Sequence, residues 1–356
     1  MESNSLTGKT ILLVNTGYLK KKFIVQRLKK LGLIVVCLNK EKNWADPYVD
    51  HWILCDTYNH HESVLAVRNF IKNNPKVKID GVLTFWEDDV LLTSKIVDRF
   101  NFIGIPYAIA KNVRNKFKFR DFCKENGLPA PNHAIVKSDE DLTYVIKHFT
   151  FPLVIKPAFG SSSAFVVKVT DKLELMNTLE MVRREITTDT ETALTDGFDV
   201  FVEEYIDGDE VDIDIVLQNG KIKFWSVADN YDKSFHEFFV DSGQAIPSTL
   251  PHKDQHALVE MAEETLEKLG IQNAIIHYEA KHTTHGSVPI EVNMRMGGDY
   301  VYSYVNSCWG VDLIEQAVKI ATGTYTKIDK TDTPTYILGW DMHPDASGIL
   351  VELDID

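Results

Sequence analysis

The chain of 356 residues has only four cysteines, Cys37, Cys55, Cys123 and Cys308, and no two of them stand at a metal-ligand spacing. That excludes a disulfide-stapled scaffold and a cysteine zinc site, and free thiols in a reducing compartment are expected. No apolar run reaches the about 18 residues that a membrane-spanning helix needs. The start, MESNSLTGKT, is polar and lacks a signal-peptide apolar stretch, so a cytoplasmic location is expected. Basic charge is in deficit: 38 Lys and Arg face 52 Asp and Glu, a net −14. This is the reverse of a nucleic-acid-binding surface, although a local basic pocket can still hold an anion. Repeats and low-complexity tracts are absent. The turn after the first apolar run has one glycine, Gly17, and no G-x-G-x-x-G, so a dinucleotide site is not supported. Hydrophobic residues at 44% and charged residues at 25% are ordinary for a soluble globular chain of two or three domains.

What is present reads first as alternating strand and helix. Thr10 to Asn15 is a buried strand, a basic helix runs from Lys20 to Leu31, and Gly32 stops it. Leu33–Leu38, Trp52–Cys55 and Gly81–Phe85 continue the strands, with a helix from His61 to Lys72. This order predicts a parallel sheet, hence an α/β domain of the doubly wound type over residues 1–108. A helix is then expected from Asn112 to Asn126, ended by Gly127. Strands follow at 151–156, 164–169, 200–206, 210–217 and 222–227, with Asn219-Gly220 as a two-residue hairpin turn. Residues 229–249 show no periodicity, which predicts a long functional or mobile loop. Helices at His256–Leu269 and Asp312–Thr322 complete the pattern.

The densest chemistry lies in Pro289-Ile-Glu-Val-Asn-Met-Arg-Met-Gly-Gly298. On a strand, Glu291, Asn293 and Arg295 share one face. Oxygen donors there suit a hard cation such as Mg²⁺, and a fixed guanidinium suits a transferring phosphoryl group. Asn273–Lys281 reads as the partner strand of a hairpin. Folding symmetrically about His285 sets Glu279 opposite Glu291, a repulsive pair that a divalent cation would relieve. The bland alternative is a solvated strand face with scattered charges, and a bulge would shift the register.

Upstream, Gly160-Ser161-Ser162-Ser163 joins two strands and could form an anion-binding nest of backbone N–H groups. An ordinary hairpin loop fits equally. Lys156 ends the strand before it and would reach the same space as a point charge. Lys116 lies in a basic helix with Lys111, Arg114, Lys118 and Arg120, which alone reads as a solvated face. Glu203-Glu-Tyr-Ile-Asp-Gly-Asp-Glu210 ends a strand with acids and backbone groups exposed to a ligand, or simply forms an acidic turn.

Taken in order, Lys116, VIKP with GSSS, VEEYIDGDE, HYEAK and IEVNMRMGGD resemble the ATP-grasp superfamily. Five motifs in the right order make the resemblance specific, and it covers residues 1 to about 350. It implies α/β and α+β architecture: a pre-ATP-grasp domain at 1–108, lobe A with a phosphate flap at 109–195, lobe B with an adenine hinge and metal site at 196–330, and the start of a C-terminal β extension at 331–356. Relatives of this type usually continue further, so either this sequence stops short or the family member itself does, and a substrate wall that lacks a part is one expectation. Carried over by position, Lys116 and Lys156 correspond to phosphate-contacting lysines and Gly160–Ser163 to the flap. Glu203, Glu204, Tyr205 and Ile206 correspond to the adenine hinge and Glu210 to the ribose contact. Glu279, Glu291 and Asn293 correspond to the ligands of two Mg²⁺ ions, with Mn²⁺ as a substitute. Arg295 corresponds to the residue that stabilises the phosphorylated intermediate, and Gly297 and Gly298 allow a close backbone approach to it.

Within the superfamily, HYEAK, EVNMRMGGD and GVDLIEQAVKIATG look most like carboxylate–amine ligases of the dipeptide-ligase and carnosine-synthase type. That implies ATP-dependent joining of a small carboxylate to an amine through an acyl phosphate. No nucleic-acid or membrane partner is expected, and a homodimer is left open. For substrate contacts, His236 and His277 are candidates, each equally readable as a structural histidine. Two other readings stand beside this one: a bicarbonate-activating carboxylase-like enzyme and a non-catalytic nucleotide-binding regulator.

Overall fold

The computed structural model describes residues 5–160, 163–188, 192–232, 239, 241–331 and 334–340. Its first sheet contains β1 (Thr10–Val14), β2 (Ile34–Asn39), β3 (His51–Leu54) and β4 (Gly81–Leu83), all parallel, in the order β3-β2-β1-β4. Its central strand is buried at every position, as expected of a parallel sheet covered on both faces. Helices Lys22–Lys30, His60–Asn73 and Val90–Phe100 alternate with these strands.

A second, antiparallel sheet contains β5 (His133–Ile135), β6 (Leu153–Pro157), β7 (Val167–Val169) and β8 (Val200–Glu204), in the order β5-β8-β6-β7. Helices Asp139–His148 and Lys172–Glu185 pack on it through Val145, Leu175, Leu179 and Val182. The third sheet contains β9 (Asp209–Gln218), β10 (Lys221–Asp232), β11 (Asp241–Ile246), β12 (Ala274–Thr283), β13 (Gly286–Asn293) and β14 (Ile337–Trp340). Its order is β13-β12-β9-β10-β11-β14.

Two faces of this large sheet have opposite chemistry. Val211, Ile213, Ile215, Ile276 and Tyr278 pack beneath helix His252–Leu269. The intervening residues Asp212, Asp214, His277 and Glu279 point the other way, and Asp212, His277 and Glu279 line a cleft. Strand alternation thus turns one sequence stretch into a core wall and a polar wall at once. Among the described residues, no helix is long and apolar enough to cross a membrane.

Three expectations change. The helix predicted from Asn112 to Asn126 is two, Tyr107–Arg114 and Lys116–Glu125. Asn115 is extended (φ −89°, ψ 105°) and its side chain accepts from the Lys118 N–H at 2.9 Å. Asparagine favours this N-cap role, which ends one helix and starts the next. Residues 229–249 are not one loop: they include the end of β10 and all of β11, paired antiparallel from Asp229↔Ala245 to Asp232↔Asp241. Asn230 and Gln244 face the cleft from these strands, so apolar alternation fails there. Asn219-Gly220 does form the tight β9–β10 turn, with φ of 54° and 69°.

The third change concerns β12 and β13. Thr283 pairs with Gly286, so the hairpin turns between Thr284 and His285, half a residue before the expected axis. A bulge then inserts Ile290, beside Pro289, and restores Glu279↔Glu291. Proline has no N–H for the ladder and is confined to edges and bulges, and β13 is an edge strand. Arg120 holds the bulge by donating to the carbonyls of Pro289 at 3.0 Å and Ile290 at 2.9 Å.

Gly208, between β8 and β9, has φ of +151°, and an added Cβ would overlap the carbonyl oxygen of His282. Gly208→Ala is therefore expected to destabilise the chain by at least roughly 1–3 kcal/mol, read as a lower midpoint in urea. An unchanged midpoint would mean the β8–β9 turn is not held as described.

Candidate active site

A cleft of about 620 Å³ opens where the three sheets meet. Its floor is a grid of polar side chains on β13, β12 and β9. Ladder pairing aligns Glu291, Glu279 and Asp212 in one row, and Asn293, His277 and Asp214 in the next. Asn293 Nδ2 donates to Glu279 Oε1 at 2.9 Å. Glu279 keeps some exposure to the cleft while protein surrounds its carboxyl closely. Burial, then the charges of Glu291 and Asp212, push that carboxyl up to about 8. His277 places Nδ1 3.0 Å from Asp214 Oδ1 and Nε2 3.6 Å from Asp212 Oδ2. Burial alone would lower its imidazole, but the two aspartates outweigh that and raise it to about 10. His277 is therefore a buried cation in the grid.

Cations enter this space already held by carboxylates. Lys116 Nζ lies 2.9 Å from Glu291 Oε1 and 2.8 Å from the Gly160 carbonyl. Lys156 Nζ sits 2.5 Å from Glu203 Oε1, and Arg120 Nε 2.8 Å from Glu203 Oε2. Burial would raise Glu203, but Arg120 and Lys156 bring it down to about 2. Burial also lowers the Lys156 ammonium, against the opposing pull of Glu203. Arg295 lies just beyond the end of β13 rather than on it, and its Nε is 2.6 Å from Glu87 Oε2. Glu87 also takes Arg114 Nε at 3.2 Å. Burial would raise Glu87, but Arg295 and Arg114 hold it low.

The remaining candidates separate. Tyr205 and Ile206 line the cleft, and the Tyr205 ring lies 3.7 Å from the Lys168 ammonium and 5.0 Å from that of Lys281. Glu210 lines it too, 3.4 Å from Lys281 Nζ. Ser163 and Gly298 reach it, whereas Ser161, Ser162 and His236 lie outside the described residues. Glu204 does not line the cleft: its carboxylate accepts from the Thr150 N–H at 2.8 Å and Asn132 Nδ2 at 2.9 Å, tying loops behind β8. The adenine hinge expected of Glu203–Ile206, mostly through Glu203 and backbone groups, does not call on the Glu204 carboxylate. Glu203 differs as well, because both its oxygens already hold cations, so its first task is to fix Lys156. Gly297 is needed for packing, since a Cβ there would fall 2.8 Å from His277 Nδ1.

Sequence reading missed Glu87, Arg120, Asp212 and Asp214. The signal for Asp212 and Asp214 was available: Asp-Ile-Asp in β9 alternates as Glu-Val-Asn does in β13. Glu87 and Arg120 gave none, because their partners are remote in sequence.

The donor set fits a hard divalent cation. Glu279 and Glu291 face each other, and Asn293 adds an amide oxygen. Among the described residues no three His, Cys, Asp or Glu side chains form a complete metal cage. Two carboxylates with phosphate and water completing the sphere is the usual arrangement for Mg²⁺. The proton held by Glu279 sets a measurable sign. The native state keeps it above the pH near 4.3 at which an unfolded glutamate releases it, so stability falls as pH rises from there through about 8. Glu279→Gln should lack that fall, so its melting temperature should gain on the parent's between pH 5 and 8 without ligand. Mg²⁺ with ATP should raise the parent's melting temperature more than the variant's. Equal pH profiles would remove the charge pair as an explanation.

Residues 149–303 match the family model described as the ATP-grasp domain. Carnosine synthase 1 of Mus musculus is 24% identical over 361 residues, covering 97% of this chain and 42% of that protein. This chain thus spans less than half the length of that relative. The alanine–anticapsin ligase of Bacillus subtilis (strain 168) is 23% identical over 301 residues, 79% of this chain and 63% of the relative. The crystal structure of the L-amino acid ligase from Bacillus licheniformis superposes with a TM-score of 0.74 at 24% identity, over 89% of this chain and 75% of that one. The three sheets and the cleft between them agree with these matches: residues 149–303 match the ATP-grasp domain, and the chain has the fold of the superposed ligase structure.

Proposed function

We propose that this protein is an ATP-dependent ligase that joins a small carboxylate, an amino acid by preference, to an amine, releasing ADP and phosphate. The observation that carries this reading is the facing pair Glu279 and Glu291 beside Lys116, Lys156 and Arg295 in one cleft. Support comes also from the similar proteins, among them an alanine–anticapsin ligase and an L-amino acid ligase. The domain division at 108, 195 and 330 belongs to the same proposal.

The roles follow from position. Tyr205 and Ile206 receive the adenine where β8 ends, and Glu210 accepts from ribose hydroxyls. Lys156, fixed by Glu203, meets the phosphates beside Gly160 and Ser163. Lys116 leaves the Gly160 carbonyl and Glu291 to meet them as well. Glu279, Glu291 and Asn293 would hold Mg²⁺, one ion or two, which supplies Lewis-acid charge neutralisation and a template for the phosphates. The substrate carboxylate attacks the γ-phosphate, giving an acyl phosphate and ADP. Arg295, oriented by Glu87, stabilises charge on the transferring group and then on the tetrahedral oxyanion. The amine attacks the acyl carbon, phosphate departs, and the amine's extra proton leaves to solvent or phosphate. The chain supplies positioning and charge and no covalent nucleophile.

Phosphate release should be followed with ATP, Mg²⁺ and pairs of L-amino acids, with mass detection of the amide. Release that needs bicarbonate and no amine would overturn the ligase reading. Arg295→Ala should keep ATP binding and lower turnover by roughly 10²–10³-fold, the usual cost of one oxyanion donor. Normal turnover in that variant would remove Arg295 from the reaction.

A further inference from the structure

The N-terminal parallel sheet contributes side chains to the cleft from the carboxyl ends of two neighbouring strands. The loop after β1 leads to Lys21, and the loop after β4 carries Trp86 and Glu87. Ligands of open α/β sheets gather at this edge. The first loop is shaped to reach inward. Asn15 and Gly17 take φ of 66° and 67°, and the Gly17 N–H donates to Asn15 Oδ1 at 2.9 Å. A Cβ on Gly17 would come within 3.0 Å of Trp86 and 3.3 Å of the Lys21 stem. Glycine therefore lets Trp86 and Lys21 close on each other.

Lys21 differs from the other cations that line the cleft. Lys20 has Asp299, Lys116 has Glu291, Lys156 has Glu203, Lys281 has Glu210, and Arg295 has Glu87, each within ion-pair distance. Among the described residues, Lys21 has no carboxylate within that range. Its ammonium donates to the Phe85 carbonyl at 2.7 Å and lies 4.8 Å from the centre of the Trp86 ring. Neither contact cancels a full charge, and both leave donors to spare. Burial, then the nearby Arg295, works against its proton, while Asp299 and Glu87 favour it from beyond ion-pair range, each already paired with another cation. An ammonium held half-buried beside a guanidinium, with no described carboxylate in ion-pair range of its own, offers a place to an anion from outside the chain.

We propose that Lys21 binds a carboxylate that survives the reaction, that of an amine substrate which is itself an amino acid. The proposal rests on the ligase reading. Lys21 stands among residues of the Arg295 side of the cleft, whereas the nucleotide side has its own lysines. The carboxylate that is activated belongs with Arg295 and the phosphates. The carboxylate at Lys21 would remain free in the product, so the product is a dipeptide-like amide with an acidic end. Trp86, Tyr18 and Tyr300 wall this end of the cleft, giving the amine substrate's side chain an aromatic surface to lie against.

The test compares Lys21→Met, Lys21→Arg and, as a control, Lys20→Met. Each is assayed for amide formation with an amino acid as the amine and with the matching amino-acid amide, whose carboxylate is masked. Direct binding of both compounds is measured by calorimetry. For Lys21→Met, KM for the amino acid should rise about 10- to 100-fold, the usual worth of a charged hydrogen bond. KM for ATP should stay constant, and the preference for the acid over its amide should vanish. Lys21→Arg should restore part of the preference, and Lys20→Met should retain all of it. An unchanged preference in Lys21→Met, with amide product still formed, would overturn the proposal and leave the ligase reading standing. A raised KM for ATP alone would make Lys21 a phosphate contact and also overturn it. If no pair of substrates yields an amide, the ligase reading fails, and calorimetry still decides whether Lys21 selects a free carboxylate.

Discussion

Glu291, Glu279 and Asp212 stand in one row across three adjacent strands, and the cleft is arranged around that concentration of negative charge. Two unit charges about 5 Å apart repel by about 3 kcal/mol at an effective dielectric near 20. The chain relieves the row in three ways. Burial, helped by Glu291 and Asp212 for Glu279 and by Asp214 for Asp212, keeps protons on both carboxyls at pH values where ordinary carboxylates are ionised. His277 stays protonated between Asp212 and Asp214, and Lys116 covers Glu291. Each is a substitute that a divalent cation would displace, since that cation needs the carboxylates ionised and Lys116 turned toward phosphate. On the proposed reading, binding of metal and nucleotide would be coupled to proton release and to breaking the Lys116–Glu291 pair.

Arg120 links this row to the other lobe. It is fully buried, and it divides its donors between Glu203 on β8 and the bulge carbonyls of β13. Glu203 in turn grips Lys156. One guanidinium therefore sets both the position of Lys156, the lysine proposed to meet phosphate, and the point where β13 shifts register. Breaking such a buried pair leaves the remaining charges uncompensated, at several kcal/mol. The bulge is what aims Glu291 and Asn293 at the cleft. Without Ile290 as the extra residue, the turn between Thr284 and His285 would set Glu279 against Ile290 and send Glu291 to the apolar face.

The sequence made much of this legible, for reasons that also mark its limits. Strands of the parallel sheet are near-continuous apolar runs and declare themselves. Asn219-Gly220 is a turn because only such residues take positive φ twice in succession. The Glu279–Glu291 pairing came from symmetry about His285, and it holds because the half-residue error at the turn and the bulge at Ile290 offset each other. The pairing was right for an incomplete reason. What stayed hidden were partners far apart along the chain: Glu87 with Arg295, Arg120 with Glu203, Lys21 without a carboxylate. Local periodicity carries no information on such contacts. The break at Asn115 was hidden differently, since helical spacing continues across it while an N-cap interrupts the backbone.

These remote partnerships make the position of Arg295 depend on how two layers dock. Glu87 opens a short 3-10 turn that follows β4 of the parallel sheet, six residues after Gly81, whereas Arg295 follows β13 of the large sheet. The layers meet where Gly81 packs against helix Leu313–Ala321: a Cβ on Gly81 would come within 2.5 Å of the Ala321 carbonyl oxygen. Close packing there fixes the distance over which Glu87 must reach. A guanidinium meant for a developing charge needs placement to well under 1 Å. The carboxylate that provides it is only as well placed as the interface beneath it. The placement of Arg295, proposed to act on the reacting group, is therefore set partly by a close contact outside the cleft, between a glycine and a helix end.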